Sequence, residues 1–335
     1  MINQALKRAA GLLAVACLLS CEDHRLTAVV PTVSSSVLAR NLVSPIAVET
    51  DPTGRVFVTE QGTGANDGRL TMVGSNGQLY PVVTGFFSEK LPNNEISGTD
   101  HLLYADGLLY VLNAKGLYKV NVSGFKPGDA PIAAASLVPE DIGTFVINYK
   151  FVNDTDESHL YNLTLGPDGA LYITDAAANA IIRRAKNGAL SVVAEVPGVP
   201  NPTSVGPPVI QAVPTSITYD GKQLLFSTLV GFPFPPGKSV VYAMDLTGKL
   251  TVYWQNFTSL VDVENDGNGG ILTLQHGVFG PQGFAPNTGL LAQTTAAGTA
   301  TLLSSLNQPT DLKLLANRTG YLASLGDNTL LKITF

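Results

Sequence analysis

Short apolar runs, each closed by a glycine-rich polar turn, follow one another along most of the chain. The segment from Leu160 to Val193 holds four such runs. Leu163–Leu165 leads into Gly166-Pro167-Asp168-Gly169, a turn that glycine permits and proline pre-sets. Ala170–Thr174 alternates and is rich in β-formers, a polar turn follows, and Ile181–Arg184 and Leu190–Ala194 complete the set. Four strands with tight connections form an antiparallel meander the size of one propeller blade. One blade cannot bury its own faces, so the unit must recur. It does: the turn returns at Gly54, Gly107, Gly169, Gly221, Gly267 and Gly320, each flanked by short apolar runs. The inner strands predicted before these turns are Ile46–Val48, His101–Leu103, Tyr161–Leu165, Ser216–Thr218, Val261–Val263 and Thr310–Leu314. The pattern therefore predicts an all-β fold, a six-bladed β-propeller with four-stranded antiparallel blades. The last blade runs out after its third strand, so Val37–Asn41 is expected to supply the fourth. That pairing closes the ring through the two ends of the chain and removes the open sheet edges.

Composition agrees with this picture: 33 Gly, 21 Pro and 14% charged residues in 335 suit turns between apolar strands. The N-terminus reads differently. Lys7-Arg8 precedes an apolar run, Ala9–Leu19, that is too short to span a bilayer and ends in Leu18-Leu19-Ser20-Cys21. That ending looks like a bacterial lipobox. It predicts a signal peptide over 1–20, lipidation of Cys21, a tether over 21–36 and a propeller over 37–335. The protein is then held in the cell envelope by a lipid anchor. Removing Lys7 and Arg8 moves the net charge from −6 to −8, which disfavours nucleic acid as a partner. With Cys17 inside the leader and Cys21 lipidated, no thiol remains for disulfides or zinc. A monomer is expected.

Loop lengths predict one elaborated face. Gln61–Arg69, Leu229–Lys238 and Gln275–Gly289 join second to third strands; Phe86–Gly98, Val138–Ser158 and Val196–Pro214 join successive blades. In a propeller these two classes share a face, and long loops on a rigid scaffold carry binding residues. Two polar columns point toward it. Asp100, Asn162, Ser216, Asp262 and Asp311 open the inner strands, with Ala47 in the remaining place. Glu60, Asn113, Asp175, Thr228, Gln275 and Ser324 end the second strands. Such groups cap strand ends and hydrate a channel, orient a polar ligand, or hold a hard cation. For the last, Glu60, Asn162, Asp262 and Asp311 are the candidate ligands of a Ca²⁺ ion. His101 sits beside Asp100, and His159 precedes the third inner strand; neither has metal-ligand spacing, and no GxSxG elbow occurs.

Several stretches resemble the ScyD/ScyE family of NHL-like six-bladed propellers. They are Tyr161-Asn162-Leu163, Gly166-Pro167-Asp168-Gly169-Ala170-Leu171-Tyr172, Thr174-Asp175 with the alanines after it, Val213-Pro214-Thr215-Ser216, and Gly231-Phe232-Pro233-Phe234-Pro235-Pro236-Gly237. The last is the most specific. The family is named for genes of the cluster for scytonemin, an extracellular indole–phenol pigment. The resemblance implies a secreted propeller and little chemistry. Three functions follow. The first is a non-catalytic module that binds a small molecule or an envelope protein through the loop-rich face, with Phe232 and Phe234 as an apolar wall stiffened by three prolines. The second is a Ca²⁺-dependent hydrolase of sugar-lactonase type. The third is an accessory or interaction protein, as in extracytoplasmic secondary-metabolite assembly.

Overall fold

The computed structural model describes residues 32–335. The predicted signal peptide, Cys21 and most of the predicted tether lie outside the described residues. The fold is a six-bladed β-propeller, as the repeat predicts. Its inner strands are Pro45–Thr50, Thr99–Ala105, Leu160–Leu165, Pro214–Tyr219, Leu260–Asn265 and Pro309–Leu314. Each blade continues outward by antiparallel pairing. Apolar side chains alternate to the two faces of every sheet and meet those of the neighbouring blades. Six core clusters result, one at each blade interface. Phe57, Phe86, Tyr172 and Phe226 are among their largest fully buried side chains.

Ring closure occurs as expected but is longer. Ser34–Ala39 pairs antiparallel with Thr329–Thr334, so the closing strand begins three residues earlier than Val37 and takes in the end of the predicted tether. The pairing sets Ser34 against Thr334. The chain thus enters the propeller on the bare face, opposite the long loops.

Blade two departs from the four-strand expectation. It has three strands, Thr99–Ala105, Leu108–Asn113 and Gly116–Asn121. A bridge between Leu117 and Glu140 stands where a fourth strand would lie. The connecting chain instead lays Ile132–Ala133 parallel to the outer strand of blade one, which becomes five-stranded. The run Gly124–Pro131, with Pro127, Gly128 and Pro131, carries no β-pattern, so it crosses between blades rather than pairing with the nearer edge. A short helix, Gly143–Asn148, follows and buries Val146 against blades two and three.

Candidate functional site

Every inner strand carries a register shift near its loop-face end, between Pro45 and Ala47, Thr99 and Leu102, Leu160 and Asn162, Pro214 and Ile217, Leu260 and Asp262, and Pro309 and Asp311. A β-bulge re-aims the side chains around it. Just before the bulges, Ser44, Val213, Ser259 and Gln308 take φ between 45° and 54°. None is glycine, and Val213 is β-branched, so this rim stores backbone strain.

The bulges decide which residues see the channel. A central cavity of about 110 Å³ is lined by Asn162, Ser216, Asp262 and Asp311, as expected, and by His101 in the blade-two place. Asp100 is not in that ring. It lies on the other side of the strand, buried at 1% exposure with its Oδ2 3.1 Å from His159 Nε2. A second layer sits two residues further along each strand: Glu49, Leu103, Thr164, Thr218, Glu264 and Lys313. Extending the alternation of the first column by one period would have found it.

The channel carboxylates also staple the blades. Asp262 accepts the backbone N–H of Val263 at 2.7 Å and of Leu312, one blade on, at 2.8 Å. Asp311 Oδ2 accepts Val48 N–H across the ring closure at 2.7 Å. Burial opposes their ionisation. It pushes Asp262 up to about 6 and, aided by the Asp262 charge, Glu264 up to about 8; it also raises Asp311, which feels Asp262 and Glu264. Lys313 is the counter-charge, 2.8 Å from Glu49.

Above the ring, His159 is held protonated chiefly by the Asp100 charge, which lifts it to about 9. Its side chain is 44% exposed. His101 is the opposite case: burial holds it down at about 3, so it is neutral. Tyr161 lies against the His101 ring at 4.5 Å. Its hydroxyl is held protonated by burial and by the charges of Asp100, Asp311 and Asp262. Asp100 Oδ1 and His101 Nε2 are buried with no hydrogen-bond partner.

The second column caps strand ends, one of the three roles expected for it. Glu60 accepts Val43 N–H at 2.6 Å and the Thr71 hydroxyl, with Arg69 nearby at 3.7 Å. Asp175 accepts the N–H groups of His159 and Ala178 and the Ser158 hydroxyl. Gln275 accepts Thr258 N–H, Asn113 donates to the Phe87 carbonyl and Ser324 to that of Asn307. Thr228 bonds within its own blade, to Val240. In five of the blades, then, these side chains hold the incoming inter-blade connection in place. Glu60 does not meet Asn162, Asp262 and Asp311, which corrects the expected cation set. The end of a second strand lies one strand outside the channel wall. Among the described residues no group of three or more His, Cys, Asp or Glu side chains is placed to hold a metal ion.

Phe232 and Phe234 stand apart from the channel ring, over blades four and five. Phe234 packs 4.5 Å from Phe279 and 5.2 Å from Phe284, and His276 lies 4.8 Å from Phe284. Phe232 remains 54% exposed. Two of the long loops thus meet in one aromatic cluster. The Gln308 side chain ties it to the rim by donating to the Phe284 carbonyl.

Solved structures of similar architecture span nearly the whole chain at low identity. Virginiamycin B lyase from Staphylococcus aureus, solved with quinupristin, aligns at TM-score 0.53 and 13% identity, covering 91% of this chain and 99% of its own. A putative gluconolactonase aligns at TM-score 0.56 and 14% identity, covering 90% and 92%. The PQQ-bound aldose sugar dehydrogenase from Streptomyces coelicolor aligns at TM-score 0.56 and 15% identity, covering 90% and 98%. The shared feature is the propeller. No protein-family pattern matches the chain, and no curated protein matches it in sequence.

Proposed function

We propose that this protein is an envelope-anchored propeller of ScyD/ScyE type that binds a small molecule at its loop-rich face. The observation that carries the reading is the orphaned, buried His101 Nε2 in the channel ring, on the same face as the partly exposed Phe232–Phe234 cluster over blades four and five. Native proteins seldom leave buried polar groups unpaired away from a functional site. The signature run Gly231–Gly237 builds part of the aromatic wall. A lipid at Cys21 fits the same arrangement, because the chain enters on the bare face and leaves the loop face free.

The test uses indole and phenol as probes, since the resemblance points to indole–phenol chemistry and the wall is aromatic. Either is expected to raise the melting temperature of the mature protein by mass action. Phe232→Ala, at an exposed position, leaves the basal melting temperature unchanged and weakens the probes about threefold or more, the scale of one lost aromatic contact. Equal shifts in both proteins would refute the aromatic wall.

A second reading is an acid–base enzyme, and the protonated His159 against Asp100 favours it. Propellers named lyase, gluconolactonase and sugar dehydrogenase share the fold. In this reading the mature protein opens simple sugar lactones, and His159→Gln lowers kcat about 100-fold or more while leaving the melting temperature intact. Equal hydrolysis by wild type and variant removes His159 from the chemistry.

A further inference from the structure

We infer that the channel cavity takes the ammonium group of a small protonated primary amine. This names the chemical class of the ligand and rests on the loop-face reading above. The argument begins with the His101 tautomer. Its Nδ1 lies 2.9 Å from the Tyr161 carbonyl oxygen. A carbonyl only accepts, so Nδ1 carries the proton and Nε2 keeps its lone pair. That nitrogen belongs to a side chain only 2% exposed, makes no well-formed hydrogen bond although the Thr310 backbone lies near the imidazole, and faces Asp311 Oδ1 across 3.6 Å. With Asp311 ionised, as the proposal requires, these are two acceptors facing each other without a hydrogen between them, a costly arrangement for buried groups. A donor placed against both resolves the conflict. Asn162 and Ser216 line the same cavity and offer further oxygens.

Charge and size narrow the class. Glu49, Asp262, Glu264 and Asp311 face the space with Lys313 as the one ammonium among them, so the local field favours a cation. The volume, about 110 Å³, suits a compact head group. A divalent metal fits less well. Asp262 already accepts two backbone N–H groups, and Asp311 spends Oδ2 on Val48. Asp311 Oδ1 and His101 Nε2 remain beside the Asn162 and Ser216 oxygens, and among the described residues no three His, Cys, Asp or Glu side chains converge as a metal site, whereas Ca²⁺ takes six or more oxygens. An ammonium needs three acceptors and can donate to nitrogen or oxygen alike.

The experiment is a thermal-shift and calorimetric titration of the mature protein at pH 8 with methylammonium, methanol, tetramethylammonium and Ca²⁺. Methylammonium at about 100 mM is expected to raise the melting temperature by about 2 °C. Methanol lacks the charge and tetramethylammonium lacks an N–H, so neither does. Asp311→Asn keeps an acceptor for Val48 N–H but removes the charge, and lowers methylammonium affinity about tenfold, the scale of one charge-assisted hydrogen bond. His101→Phe keeps a ring against Tyr161, removes Nε2 and weakens binding in the same way. Moving to pH 5 weakens it further, because burial raises Asp262, Glu264 and Asp311 and their negative charge is lost as the pH falls. The proposal is overturned if methylammonium acts equally on both variants, or if Ca²⁺ stabilises and methylammonium does not. If indole or phenol still binds through Phe232 while every amine fails, the amine class falls and the loop-face reading stands; if none binds, both fall.

Discussion

Lys313→Met is expected to destabilise the protein by about 2–4 kcal/mol at pH 8, somewhat below the ~3–5 kcal/mol for breaking a fully buried ion pair because the Lys313 side chain is 29% exposed. Lys313 lies 2.8 Å from Glu49, whose side chain is 5% exposed, and its charge also lowers the proton affinity of Asp262, Glu264 and Asp311. Methionine fills similar space and packs along the same stem, so the loss is electrostatic rather than a cavity. The pH dependence has a definite sign. Burial raises the folded-state values of Glu264 to about 8 and of Asp262 to about 6, above those of the unfolded chain. Their contribution to stability is complete below the unfolded carboxylate range and is lost as pH climbs through about 6 to 8. Without the lysine those carboxylates resist ionisation more strongly, and the mutant loses stability more steeply over this window. At pH 5 they are protonated in both proteins, only Glu49 lacks its partner, and the difference shrinks to roughly half. Urea unfolding of wild type and Lys313→Met at both pH values measures it. A penalty independent of pH would mean that the channel acids do not share the lysine.

The second large effect concerns ring closure. A chain cut to begin at Arg40 loses Ser34–Ala39, and with it the pairing to Thr329–Thr334. At about 1 kcal/mol per backbone hydrogen bond, the loss comes to about 4–6 kcal/mol. It also uncovers the strand Thr-Leu-Leu-Lys-Ile-Thr, which is β-prone and carries one charge. The expected result is a lower unfolding midpoint and edge-to-edge oligomers in light scattering. A synthetic peptide covering residues 32–41 restores the monomer by adding the missing strand in trans. A truncated chain that stays monomeric with an unchanged midpoint would show that the closure contributes nothing to the ring.

The sequence by itself determined the blade number and the closure. Both rest on local chemistry repeated in register. The Gly-containing turns set the strand boundaries, and an apolar run of uneven count at the C-terminus required a partner strand from the N-terminus. The elaborated face was legible for the same reason, since strand order alone assigns each long loop to one end. Four of the channel residues, Asn162, Ser216, Asp262 and Asp311, were readable as a column, and the Phe232–Phe234 loop was readable as a wall.

Tertiary structure decided the rest. The tight Asp106-Gly107 turn of blade two shifts the count along its inner strand, so His101 rather than Asp100 takes the place in the ring that Asn162 takes in blade three. No local pattern distinguishes Asp100-His101 from the columns of the other blades. Glu60 and Asp175 looked like channel groups, yet their partners are backbone groups in inter-blade connections as many as 17 residues away. The fourth strand of blade two was lost to a non-local choice between two sheet edges. The protonation of the site is of the same kind. His159 and His101 are the same residue type, and only the carboxylate beside one and the burial of the other set them about six units apart.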